Sequence, residues 1–127
     1  MDPAVAQYLT VEDADLERRW SSLTERPTGR FGRDMTIEAI LFLIGVQSQG
    51  MGYQPEIRRE RKQELIMEGT YCVFEKLGIY ERAGMDEHGL WLWERKVPVP
   101  SLSVEEQEKL LRVAILEYFQ DESEKHD

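Results

Sequence analysis

The stretch Ile37-Glu-Ala-Ile-Leu-Phe-Leu-Ile-Gly-Val46 contains ten residues and one charge, which lies at Glu38 near its start. A helix with apolar residues on every side is surrounded by other elements in a folded protein. We therefore predict a buried central helix that continues to about Gln49 and ends at Gly50, whose permissive backbone suits a left-handed cap. The stretch is too short to span a bilayer, which needs about 20 apolar residues.

Three further helices are predicted around this central helix. The first is amphipathic and begins near Thr10, and the second occupies residues 55–77 with Gly78 past its end. The third opens at the capping box Ser103-Val-Glu-Glu106, the most specific local signal in the chain, and reaches about Phe119.

Two short segments rich in strand-forming residues lie between the last two helices. They are Ile79-Tyr-Glu-Arg82 and Leu90-Trp-Leu-Trp93, and the connection between them contains two glycines. This pattern predicts a β-hairpin. The predicted fold class is mainly α (α+β): a four-helix domain around a buried central helix, with one β-hairpin before the C-terminal helix.

Length and composition indicate one small globular domain. We assign residues 1–127 to a single domain and expect flexibility in an N-terminal arm at 1–9 and in an acidic tail at 121–127. The N-terminus shows no signal-peptide pattern. Cys72 is the only cysteine, so no intramolecular disulfide can form, and its apolar neighbours favour a buried, inert thiol. We expect a cytoplasmic protein that does not associate with membranes.

Residues for catalysis or metal binding are sparse. The two histidines, His88 and His126, lie in different regions, whereas a zinc site needs three or four ligands brought together. Neither serine nor histidine occurs in a nucleophile motif, and the carboxylates fall on helix faces where solvation explains them. We therefore expect no metal, no cofactor and no enzymatic activity.

Apolar residues in excess of what one core needs give the strongest signal for an interaction. Trp91 and Trp93 share one face of the second strand, and Val113 and Leu116 lie on the far side of the last helix. Tryptophan is enriched at interface hot spots, and spare apolar surface on a small domain is often covered by assembly. Cover by helices of the same chain, a homodimer or other protein contact, and a small apolar ligand all stay open.

Two loops carry further candidate residues. In Gly50-Met-Gly-Tyr53, Met51 and Tyr53 either fold back onto the core or form a mobile recognition loop. The loop before the central helix has no acid between Glu25 and Asp34, so it is either a solvated connector or a contact for an anion or partner. Its basic residues are Arg26, Arg30 and Arg33.

The order of elements over residues 36–120 resembles the layout of winged-helix transcriptional regulators. A helix ending in Leu43-Ile-Gly-Val46, a glycine-containing linker, a helix ending in Phe74-Glu-Lys-Leu-Gly78, a hairpin and a C-terminal helix follow one another. The resemblance implies a recognition segment around residues 68–76 and contact with nucleic acid. Basic residues available for that contact are Arg58, Arg59, Arg61 and Lys62, together with the three arginines of the preceding loop.

Charge is distributed unevenly along the chain. The net charge is −9, yet residues 26–62 carry seven bases and four acids, a local excess of three positive charges between two acidic flanks. Repulsion from polyphosphate disfavours indiscriminate nucleic-acid binding, although a basic face acts within a Debye length. We therefore expect a non-enzymatic interaction protein whose partner is a second copy or another protein, with a nucleic-acid-binding regulator as the alternative.

Overall fold

Five helices and one hairpin form the part of the chain that the computed structural model describes, which is residues 2–24, 35–50 and 57–125, with side chains up to residue 121. This arrangement confirms a mainly helical fold with a small β part before the C-terminal helix. The elements are α1 (Pro3–Leu9), α2 (Asp13–Thr24), α3 (Ile37–Ser48), α4 (Arg59–Lys76), β1 (Tyr80–Met85), β2 (Trp91–Arg95) and α5 (Val104–Lys125).

α3 and α4 pack against each other through their backbones. A Cβ atom added to Gly45 would lie 2.8 Å from the carbonyl carbon of Leu65, and one added to Gly69 would lie 2.7 Å from that of Leu41. Both distances are far inside van der Waals contact, so only glycine fits at either position. The pairing of Gly45 with Leu65 and of Leu41 with Gly69 makes the two helices antiparallel.

Burial of α3 is one-sided, which differs from the predicted surrounded helix. Ile40, Leu41 and Ile44 are buried, but Leu43 on the opposite side is 42% exposed. The reason is that α3 packs chiefly on one neighbour, α4. The helix covered from several sides is α5, which contacts α4, α2 and α1.

The N-terminal residues form a helix where we predict a flexible arm. The Asp2 side chain accepts a hydrogen bond of 2.8 Å from the Ala4 backbone N–H at the start of α1, and Val5 is fully buried. Thr10 ends α1 and does not begin α2. At the other end, α5 continues past Phe119, the predicted end, to Lys125.

The predicted capping box and the predicted glycines after two helices are confirmed. In the capping box, the Glu106 backbone N–H donates to Ser103 Oγ, and the Ser103 backbone N–H donates to Glu106 Oε1, each at 3.1 Å. Gly50, the predicted left-handed cap, and Gly78, predicted to lie past the end of its helix, follow α3 and α4 with φ of 65° and 77°. Pro55, the predicted start of the next helix, lies outside the described residues.

The hairpin is antiparallel, with Arg82 opposite Trp93 and Met85 opposite Trp91. The register shifts between these two pairs, so two residues of β1 face one of β2. Gly84 lies in this bulge with φ of 117°, a conformation that favours glycine. The bulge keeps Met85 on the same face as Trp91 and Trp93.

We predict that Gly45→Ala and Gly69→Ala each destabilise the protein. Helix propensity alone would stabilise either variant by about 1 kcal/mol, but the added methyl meets a backbone that cannot move aside cheaply. We expect a net loss of about 2 kcal/mol in the free energy of unfolding, measured by urea denaturation. Gln47→Ala, at an exposed position of α3, is the control and should stay near wild type. Wild-type stability in both glycine variants would contradict the close contact.

Candidate interaction surfaces

Trp93 is tied to the fold through its indole nitrogen. Its Nε1–H donates a hydrogen bond of 2.7 Å to Glu68 Oε1 on α4, and Glu68 is only 5% exposed. The Trp93 ring also stacks on Tyr71, with centroids 5.6 Å apart. A buried carboxylate needs donors to offset its desolvation, and the indole supplies one. Trp93 therefore attaches the hairpin to α4.

Arg82 lies between the two hairpin tryptophans. Its guanidinium carbon is 4.6 Å from the Trp91 ring centroid and 5.2 Å from that of Trp93, both within cation–π range. The same guanidinium pairs with Glu75 on α4, at 3.7 Å between Nε and Oε2. Arg82, on β1, thus holds the Trp91 ring of β2 in place.

The two tryptophans differ in how they relate to the core. Trp93 packs against the main cluster of buried residues, whereas Trp91 is half-buried and does not belong to that cluster. Two further apolar side chains of the hairpin are exposed, Met85 at 54% and Leu92 at 47%. Met85 lies on the face of the hairpin that carries Trp91, whereas Leu92 lies on the opposite face. The Trp91 face therefore displays apolar surface around a tryptophan whose ring Arg82 contacts.

The far side of the last helix is not an exposed surface, and this corrects its assignment as an interaction site. Val113 and Leu116 are buried in the cluster that also contains Leu16 and Trp20 of α2 and Val5 of α1. These two helices cover the face of α5 that the sequence leaves unpartnered.

Cys72 is buried beneath the hairpin, as predicted. Burial raises the pKa of its thiol, and the negative charge of Glu68 adds to the shift. Arg82 Nη2 lies 3.9 Å from the sulfur, and its positive charge acts in the opposite direction by lowering the pKa of the thiol. A buried thiol with a raised pKa is a poor nucleophile near neutral pH.

The basic residues of the helix predicted over residues 55–77 lie together at the start of α4. Arg58 and Arg59 are exposed. Arg61 donates to Gln49 and pairs with Glu64 at 3.0 Å, and the Lys62 ammonium lies 5.8 Å from the Phe42 ring centroid on α3. The other predicted contacts lie outside the described residues: Arg26, Arg30, Arg33, Met51 and Tyr53.

The segment 68–76, which the winged-helix resemblance implies as a recognition element, is not free. Glu68, Gly69, Cys72 and Val73 are buried, between α3 on one side and the hairpin on another. α4 is also continuous from Arg59 to Lys76. The basic residues at its start remain accessible, whereas every residue of 68–76 is buried or half-buried.

Within the described residues, no group of three or more His, Cys, Asp and Glu side chains could hold a metal ion. In the same part of the chain, every helix is too short or too polar to cross a bilayer.

Comparisons with known proteins found no match to any family model, to any curated protein or to any solved structure.

The role of Glu68 is not among the features predicted from the sequence. Its carboxylate lies on the face of α4 that also carries Tyr71, Cys72 and Glu75, three, four and seven residues further on. That spacing is the feature of the sequence that could have pointed to Glu68, because it places an acid on a helix face with an aromatic ring and a buried thiol. The pairing with Trp93, 25 residues away, is visible only in the folded protein.

We predict that Trp93→Phe lowers the free energy of unfolding by about 1–3 kcal/mol, because it leaves the buried Glu68 carboxylate without its indole donor. In a Glu68→Met background the same change should cost less, and a double-mutant cycle measured by urea denaturation gives the coupling. Trp91→Phe is the matched control and should change stability little. Equal losses at Trp93 in both backgrounds would show that the hydrogen bond is unimportant.

We predict that the raised pKa of Cys72 makes stability fall at alkaline pH. The unfolded thiol ionises near pH 8.5, whereas the folded thiol keeps its proton to higher pH. Above about pH 8.5 the unfolded state therefore binds fewer protons, and the free energy of unfolding declines by up to about 1.4 kcal/mol per pH unit. Cys72→Ala should remove this part of the pH dependence. A variant with the same alkaline slope as wild type would refute the assignment.

Proposed function

We propose that this protein is a non-enzymatic cytoplasmic protein that acts by binding protein, and that it forms a homodimer through the end of its hairpin. The contact surface consists of Trp91 with the exposed side chain of Met85, which lies on the same face of the hairpin. The observation that carries the proposal is the half-buried Trp91, which stands outside the core cluster while Arg82 holds its ring.

Fixed aromatic side chains make good interface anchors. A tryptophan that is already held in one position loses little conformational entropy when a partner covers it. Trp93 shares the strand face, but its indole N–H is already bonded to Glu68. The geometry therefore favours Trp91 over Trp93 as the anchor.

The apolar character of the hairpin face around Trp91 supports a second copy as the partner. A two-fold interface brings the same patch of each protomer together, so the patch must be complementary to itself. Trp91 and Met85 form such a patch, because apolar side chains can pack against their own copies. The hairpin acids Glu81 and Glu94 lie on the other face, where Lys96 Nζ is 3.9 Å and 3.8 Å from their carboxylates.

The test is light scattering coupled to size-exclusion chromatography over a concentration series. We expect a dimer whose dissociation constant rises about thirtyfold in Trp91→Ala, which corresponds to the loss of a hot spot of about 2 kcal/mol. Circular dichroism should show that this variant keeps its helices.

Leu43→Ala is the matched control for the dimer experiment. Leu43 is an exposed apolar residue of α3, at 42%, and lies outside the proposed contact. This variant should dimerise like wild type. A monomer at every concentration would overturn the proposal, and so would a dimer that Leu43→Ala weakens and Trp91→Ala does not.

A further inference from the structure

A second surface lies on α3 and α4, in a groove that the hairpin does not cover. The groove has a volume of about 530 Å³ and is lined from α3 by Glu38 and Phe42 and from α4 by Arg59, Lys62 and Ile66. Its volume is in the range of sites that hold a small ligand or one or two side chains of a partner, which is roughly 300–1,000 Å³.

The floor of this groove is apolar and incompletely covered. Ile66 is half-buried and packs against the main core cluster. Phe42 is also half-buried but does not belong to that cluster, and its side chain lines the floor together with Ile66. Both side chains gain from contact with an apolar group that enters the groove.

The rim of the groove is basic. Arg59 and Lys62 are exposed, and within the part of the chain that the structure describes neither lies within 4.0 Å of a carboxylate. The Lys62 ammonium instead lies 5.8 Å from the Phe42 ring centroid. Glu38 is the one acid among the lining residues. The groove thus concentrates positive charge on a chain whose net charge is −9.

We propose that this groove binds an acidic, amphipathic segment of a partner protein. A bulky apolar side chain of the segment packs on Phe42 and Ile66, and carboxylates on either side of it pair with Arg59 and Lys62. Helices that dock in apolar grooves use this combination of apolar anchors and flanking charges. The proposal concerns a different surface and a different partner from the hairpin dimer, so either can fail alone.

A protein segment suits the groove better than nucleic acid does. Phosphates and sugars would leave the apolar floor formed by Phe42 and Ile66 uncovered. The net charge of −9 also repels a long polyphosphate beyond the range of the local bases. A short acidic peptide carries fewer charges and offers the apolar side chain that the floor requires.

The experiment is an NMR titration of the ¹⁵N-labelled full chain with a synthetic helical peptide that has glutamates on one face and leucine and phenylalanine on the other. We expect shifts of the amide signals of α3 and α4 around the groove, and binding that weakens as salt is raised. The double variant Arg59→Glu/Lys62→Glu should raise the dissociation constant about tenfold or more, since two favourable charge pairs become repulsive.

The matched control is Arg18→Glu/Lys109→Glu, which makes the same change in net charge on α2 and α5, away from both the groove and the hairpin. It should bind the peptide like wild type. Phe42→Ala should also weaken binding while circular dichroism and the dimer measurement stay unchanged, because Phe42 lies outside the core cluster.

Four results would overturn the proposal. The first is no shift at the groove with the peptide in millimolar excess. The second is equal loss of affinity in the control variant. The third is equal binding of a polyglutamate peptide without leucine and phenylalanine, which would leave only unspecific charge attraction. The fourth is tighter binding of a short DNA duplex at the same residues, which would make nucleic acid the occupant.

Discussion

The contact between the backbones of α3 and α4 is the constraint on which the rest of the structure depends. Gly45 lies against the main chain at Leu65, and Gly69 lies against the main chain at Leu41. Because no side chain separates the two helices there, the α4 axis is set by α3 and not by adjustable packing. The remaining faces of α4 then receive α5 and the hairpin. A mostly polar helix thus contacts α3, α5 and the hairpin.

The hairpin is attached to α4 by polar and aromatic contacts. Trp93 satisfies the buried carboxylate of Glu68, and Arg82 pairs with Glu75 while it stacks on both tryptophans. One consequence is a division between neighbouring residues of β2. Trp93 serves the fold, and Trp91, two residues earlier, is left half-exposed in a fixed orientation. The contacts that fix Trp93 to α4 thus leave Trp91 accessible to a partner.

α4 also separates the two proposed contact surfaces. Its face with Glu68 and Glu75 carries the hairpin, whereas Lys62 and Ile66 on another face line the groove shared with α3. The two surfaces differ in chemistry, because the hairpin face around Trp91 and Met85 is mainly apolar, whereas the groove is lined by two bases and one acid. Such a difference favours different partners, a second copy for one and an acidic segment for the other. Both surfaces depend on the same helix being held in place by its glycine contact.

The sequence by itself determined the features that rest on hydrogen bonds and backbone conformations within a few residues. These include the capping box at Ser103, the left-handed caps at Gly50 and Gly78, and the hairpin. Only the tertiary structure decided which faces are covered. α1 and α2 bury Val113 and Leu116, and the ion pair of Arg112 with Glu17 joins residues 95 positions apart. Periodicity shows that a helix has an apolar face, but burial depends on which distant segment packs there, and no local pattern encodes that choice.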